Sequence, residues 1–171
     1  LINISRLTTI YAHQTADASS AEVYVDAADI GRLDYSDSGV YYTKNDTPEG
    51  GAAVFYSGFF PVDEAEREKV ARVLTTQQLM KDIVTQHPIV AQIYLNTFDS
   101  LNVIYPYFDV LSQYSKNIDI TEFNFYYEAD AAHNPTREAK WTDVYLDPAG
   151  QGWMASCIAP VYRGDFLEGV V

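Results

Sequence analysis

Residues 141–171 read "WTDVYLDPAGQGWMASCIAPVYRGDFLEGVV". Runs of strand-forming residues alternate here with "DPAGQG" and "YRGD", the Pro- and Gly-bearing turns that join antiparallel strands. The pattern predicts strands over about 140–147, 153–162 and 166–171. In the first, a period of two puts Trp141, Asp143, Tyr145 and Asp147 on one face and Thr142, Val144 and Leu146 on the other. Val144 and Leu146 are expected against the core. The opposite face then joins two aromatic rings to two carboxylates. That set suits a cationic or amino-bearing ligand, because a ring face attracts a cation and a carboxylate pairs with it. A solvated sheet face is the competing reading, since Trp and Tyr form strands well in any case.

Upstream, "FNFYYEAD" (residues 123–130) carries Phe123, Phe125, Tyr126 and Tyr127, more aromatic surface than one helical turn needs for packing. With Tyr126 or Tyr127 facing the Trp141 strand, an aromatic-lined pocket results. This segment and "YFDVLSQYS" (107–115) are expected as short helices or helical turns. "IVAQIYLN" (89–96) alternates Ile89, Ala91, Ile93 and Leu95 against Gln92, Tyr94 and Asn96, the signature of a half-buried strand. "DSLN" turns it into a second strand, Val103 to Tyr105.

Asp63 opens the clearest helix. Asp63 and Glu66 fit an N-cap with its capping-box partner, and Val70, Val73, Leu74, Met80, Ile83 and Val84 form the apolar stripe. His87-Pro88 ends it, because the residue before proline is pushed out of the helical region. Short strands are expected around Val40–Thr43 and Ala53–Ser57. Ile4, Leu7 and Tyr11 recur at helical spacing, which predicts a helix in residues 1 to about 30, interrupted or ending near "DIGRLD". A long helix at the front and strands segregated into antiparallel runs indicate an α+β fold. One domain over 1–171 is expected, with residues 1–30 as a helical stalk and 31–171 as the core.

The chain has 171 residues, 11 basic and 24 acidic side chains and a formal charge of −13. Such a surface repels phosphate backbones and anionic lipid headgroups alike, so nucleic acid is excluded as a partner. The single cysteine, Cys157, permits neither an internal disulfide nor a cysteine-based zinc site, and reads as a buried structural thiol. His13, His87 and His133 lie far apart. No Gly-rich phosphate loop, nucleophile elbow or His-x-x-x-His pair occurs, so no metal, cofactor or catalytic constellation is expected and the domain is read as non-enzymatic. The alternatives are a hydrolase acting on carbohydrate through paired carboxylates, and a binding module that transmits no signal. No apolar run reaches the roughly 18 residues of a membrane span. The start in helical rhythm without Met, and the stop on an apolar strand, read as a piece cut from a longer chain.

The run "FYYEADAAHNPTREAKWTDVYLDPAGQGWMASCIAPVYRGDFLEGVV" (125–171) resembles the Cache domains, PAS-like extracytoplasmic sensor modules of prokaryotic receptors. The resemblance lies in an aromatic pair, a W-T-x-x-Y-x-D strand, a Gly-bearing turn, a strand ending A-P-V-Y, a Gly turn and a final G-V-V strand. It covers about the last third of the chain closely, and "QIYLNTFDSLNVIYP" (92–106) is similar to the family's central hairpin. It implies a PAS-like Cache fold with a central antiparallel sheet, a long N-terminal helix and flanking short helices. It also implies the periplasmic or extracellular part of a membrane-anchored receptor: a sensor histidine kinase first, otherwise a chemoreceptor or diguanylate cyclase. Such a domain binds a small ligand (an amine, an amino acid or a small carboxylate), signals by conformational change, and pairs as a homodimer through its first helix. Matching positions make Tyr126, Tyr127, Trp141, Tyr145 and Asp147 pocket residues, and Asp143 and Tyr94 complete the candidate set. Amino-acid-binding members carry an Arg two residues before the aromatic pair. Asn124 stands there in this chain, with Arg137 as the candidate substitute, and the family's further ligand-binding Asp falls beyond Val171.

Overall fold

The acidic start at Asp63 does what its sequence promises. In the computed structural model, which describes residues 2–22 and 27–171, the Asp63 carboxylate accepts from Ala65 N–H at 2.9 Å and Glu66 accepts from Asp63 N–H at 3.1 Å. This reciprocal cap satisfies donors that the first turn leaves without helical partners. In chain order the helices are α1 (Ile2–Ser20), α2 (Ala27–Gly31), α3 (Glu64–Leu74), α4 (Gln77–Gln86), α5 (Val110–Gln113) and α6 (Asn124–Tyr127), with a 3-10 turn at Ile120–Glu122. The strands are β1 (Leu33–Tyr35), β2 (Tyr41–Thr43), β3 (Ala53–Tyr56), β4 (Ile93–Thr97), β5 (Leu101–Tyr105), β6 (Lys140–Trp141), β7 (Tyr145–Leu146), β8 (Trp153–Met154), β9 (Cys157–Ile158), β10 (Pro160–Arg163) and β11 (Phe166–Val170).

The expected single helix from Asp63 to His87 is two helices. The hydroxyls of Thr75 and Thr76 bond back to the Arg72 and Val73 carbonyls at 2.6 and 2.8 Å, diverting backbone acceptors that a continuing helix would use. At His87-Pro88 the helix stops as expected, His87 sitting at φ −127° and ψ 85°. The first helix ends at Ser20, earlier than the expected boundary near residue 30, where Ser19 and Ser20 likewise bond back to carbonyls of the preceding turn. Residues 23–26 of that expected helix lie outside the described residues.

A seven-stranded antiparallel sheet, in the order β1-β2-β3-β5-β4-β11-β10, organises the rest. Helix-side packing collects Tyr11, Val54, Tyr56, Val70, Val73, Met80, Leu95 and Val103, so α1, α3 and α4 cover one face. On the other face, Phe55, Tyr94, Ile104, Val110, Ile120, Phe125 and Ile158 pack beneath α5, the 3-10 turn and α6. The architecture is therefore a mixed α and β one, a long N-terminal helix with a large antiparallel sheet. Because both faces are covered, β5 is buried along its whole length and β4 is not half-exposed as its alternation suggested. That strand also starts at Ile93: Ile89 is 78 % exposed in the turn after Pro88.

Lys69 ties the helical layer to the sheet. Its ammonium meets Asp99 at 2.8 Å in the β4–β5 turn and sits 3.9 Å from Glu168 on β11. Asp99 also accepts from the hydroxyls of Tyr56 and Thr97. Burial works to raise the Asp99 carboxyl, but Lys69 and these hydroxyls outweigh it and hold it below the usual carboxylate range.

The predicted strand over 140–147 is broken. Trp141 pairs with Cys157 and Tyr145 with Met154, and the connection runs through Thr142, whose N–H donates to Ser156. Val144 and Leu146, expected in the core, are 66 % and 64 % exposed, while Asp147 is 6 % exposed. β7 and β8 form a two-stranded flap beyond the main sheet. Only its inner side has protein beneath it, and that side carries Tyr145 and Asp147. Among the described residues no helix is long and apolar enough to cross a membrane.

Candidate functional site

On the face of β4 and β5 away from α1, the period of two presents Tyr94, Asn96, Asn102 and Ile104. Tyr114, Ile118, Ile120 and Phe125 descend on them from the segment that includes α5, the 3-10 turn and α6. Tyr145, Asp147 and Pro148 close the remaining side from the flap. Together they enclose a cavity of about 20 Å³. That is room for one water molecule and for no organic ligand.

The walls are aromatic and the floor polar. Phe125 lies 5.7 Å from the Tyr94 ring and 5.3 Å from the Tyr145 ring. Asn102 donates to the Asn96 side-chain oxygen at 2.7 Å, and the Tyr114 hydroxyl reaches Asn102 at 3.5 Å. Tyr145 and Ser156 hydroxyls are 2.7 Å apart. The Tyr94 hydroxyl stands beside them, buried, without a well-aligned hydrogen bond among the described residues. Each such group is a desolvated dipole with unused bonding capacity.

Asp147 provides the charge. The "DPAGQG" turn folds so that Asp147 N–H donates to the Gly152 carbonyl at 2.9 Å, and Gly150 and Gly152 adopt φ of 84° and 90° that side chains rarely take. The Asp147 carboxylate accepts from Gln151 N–H at 3.2 Å, and no Lys, Arg or His pairs with it among the described residues. Its neighbours register the negative charge. Burial pushes the Tyr94 phenol well above its ordinary value, with Tyr145 and Asp147 adding to the rise. Burial, then Asp147 and Tyr145, does the same to Tyr114. Tyr145 is raised by burial against the opposing pull of the neighbouring Ser156 and Tyr94 hydroxyls. The raised phenols stay protonated around the cavity. A carboxylate among aromatic rings, with no cation paired to it among the described residues, has the chemistry to attract a small cation.

Of the residues singled out in the sequence, Tyr94, Tyr145 and Asp147 meet at this cavity. Trp141 does not: the break at Thr142–Val144 interrupts the alternation, and its ring borders a separate groove beside α1. Asp143 points to solvent. Tyr126 is buried but outside the lining, within electrostatic reach of Asp99 and Glu168, and Tyr127 is 41 % exposed against His133. Arg137 lies at the surface, paired with Asp165 at 2.9 Å and stacked on Tyr162. Asn124 caps Phe125 N–H locally. The sequence reading missed Asn96, Asn102, Tyr114 and Phe125 as a set. Their signal was present in part, as paired asparagines interrupting an otherwise apolar hairpin. The cavity lining contains a single carboxylate, so it offers no acid–base pair at this place. Among the described residues no three His, Cys, Asp or Glu side chains converge as metal ligands.

A scan against protein-family models and searches of curated proteins and of solved structures return no match.

Proposed function

We propose that this chain is a ligand-sensing domain that binds a small molecule bearing an ammonium group, and that it belongs to the PAS-like Cache type. The observation that carries the reading is Asp147, buried among Tyr94, Tyr114, Phe125 and Tyr145 with no cation paired to it among the described residues. The sheet supports it too: the central hairpin β4–β5 lies beside the last strand β11, and loops with short helices roof the cavity face. On this reading the domain is the extracytoplasmic part of a membrane-anchored receptor, with a histidine kinase, chemoreceptor or diguanylate cyclase output. No bond-making step is assigned to it.

A cavity of about 20 Å³ is a closed state, so ligand entry requires the flap to lift. The flap is suited to this: its strands are two residues long, Gly150 and Gly152 lie in its turn, and Trp153 is 75 % exposed. Ligand then selects a re-closed state among those the flap visits, and the differential affinity sets the shift. β9 follows the flap and touches α1, where Cys157 meets Ser5 at 3.5 Å. α1 turns Ile2 and Ile10 outward, 73 % and 51 % exposed, the face a second helix would use in a homodimer.

A thermal-shift screen with amines, amino acids and small carboxylates tests this. A ligand at 100 times its dissociation constant adds about 2.7 kcal/mol of stability. The reading expects hits among amines that vanish in Asp147→Asn. Hits confined to carboxylates, or hits indifferent to Asp147, refute it.

A further inference from the structure

The floor of the cavity holds two amide side chains. Asn96 on β4 and Asn102 on β5 are cross-strand partners, 3 % and 4 % exposed, beneath the rings of Tyr114 and Phe125. An amide buried so deeply is costly unless its hydrogen-bonding groups find partners. Asn102 Nδ2 donates to Asn96 Oδ1 at 2.7 Å. The Tyr114 hydroxyl reaches Asn102 Oδ1 only at 3.5 Å, longer than a well-formed O–H···O bond. Asn96 Nδ2 carries two N–H donors and gives neither to a protein acceptor among the described residues. The floor therefore presents free donors beside an under-used acceptor, and both are uncharged.

Charge in the lining is confined to Asp147. No Lys, Arg or His contributes to it among the described residues, and Arg137 lies at the surface with Asp165. A ligand carboxylate brought into this space would lose its water, meet no cation and share the cavity with a like charge. Asn96 stands two residues past Tyr94 on the same face of β4, roughly 6.8 Å along the strand, and Tyr94 lies within electrostatic reach of Asp147. The charged and the neutral recognition groups are thus at separate places in one cavity.

Resting on the ammonium reading of Asp147, we propose that the Asn96–Asn102 pair is the second half of the binding site and selects an amine whose other end is an uncharged amide. The ligand's amide oxygen accepts from Asn96 Nδ2 and its N–H donates to Asn102 Oδ1, while its ammonium meets Asp147. Amino acids, which carry a carboxylate at that end, are rejected. Discrimination of this kind is strong because an analogue lacking the polar group leaves buried donors and acceptors unpaired.

Calorimetry on the native chain with 4-aminobutanamide, 4-aminobutanoate and 4-methylpentylamine tests this. The three are ammonium compounds of one shape, ending in an amide, a carboxylate and an isopropyl group. The amide is expected to bind at least about tenfold more tightly than the isopropyl amine and at least about 30-fold more tightly than the carboxylate. Asn96→Leu should bring the amide down to the isopropyl amine's affinity and leave that amine within about twofold of its native value; should the variant not fold, the native series decides alone. Equal binding of amide and isopropyl amine by the native chain overturns the role of the asparagines and leaves the ammonium reading standing. Carboxylate binding as tight as the amide's does the same. Binding of none of the three overturns the ammonium reading and this inference with it.

Discussion

Asp147→Asn separates the ligand site from the fold, because the two expectations have opposite signs. Asp147 is 6 % exposed, and its carboxylate accepts one backbone N–H at 3.2 Å and meets no cation among the described residues. Asparagine keeps the size and an acceptor oxygen for Gln151, so the loss is the charge-assisted part of one hydrogen bond, about 1 kcal/mol. Against this stands the lower cost of burying a neutral amide than a carboxylate among Tyr94, Tyr114, Tyr145 and Phe125. The net expectation is unchanged or raised stability, by up to about 2 kcal/mol. For a chain of this size that is a rise in Tm of up to about 6 °C, measurable by thermal or urea unfolding. Ligand affinity should move the other way. Removing one member of a buried charge pair costs about 2 to 5 kcal/mol, or at least about 30-fold in Kd for an amine, measured by calorimetry. A destabilisation above about 1 kcal/mol with amine affinity intact would show that the charge serves the turn, and the cavity argument would fail.

Gly169 tests the tightest approach in the sheet: a Cβ there stands 2.7 Å from the Asn96 carbonyl oxygen and 3.1 Å from the Leu95 side chain. Gly169→Ala should cost about 2 kcal/mol in urea unfolding, as overpacking against backbone does. Asp99→Asn should cost about 3 kcal/mol at neutral pH, since it leaves Lys69 with only the more distant Glu168. The native Asp99 carboxyl is lowered, so its contribution is present above the unfolded value of about 3.9 and is lost as pH falls through the folded one. The variant should therefore show a flatter loss of stability below about pH 4 than the native chain. Tyr11 titrates on the alkaline side. Burial pushes its phenol up to about 12, so stability is intact below about pH 10 and falls by about 2 to 3 kcal/mol as pH rises past 12. Tyr11→Phe should remove that share of the alkaline loss, read from unfolding midpoints across the range.

Local chemistry is what the amino-acid sequence determined by itself. The capping box at Asp63–Glu66, the stop at His87-Pro88, the β4–β5 hairpin and the turn residues of "DPAGQG" all act within a few residues of themselves, so their neighbours in the chain suffice to read them. The split at Thr75–Thr76 was also local, but a continuous apolar stripe across it concealed it. Tertiary structure decided what each face meets. Alternation in residues 141–147 shows that two faces differ, not which is inside. Val144 and Leu146 face out because the flap has protein under one side only, and Trp141 parts from Tyr145 because its strand pairs elsewhere. The cavity gathers Tyr94, Asn102, Tyr114, Phe125 and Asp147 from the hairpin, the roof and the flap, across more than 50 residues of chain. Their convergence follows from the order β5-β4-β11-β10, and that order is fixed by burying both faces of one sheet at once, which no single stretch of sequence specifies.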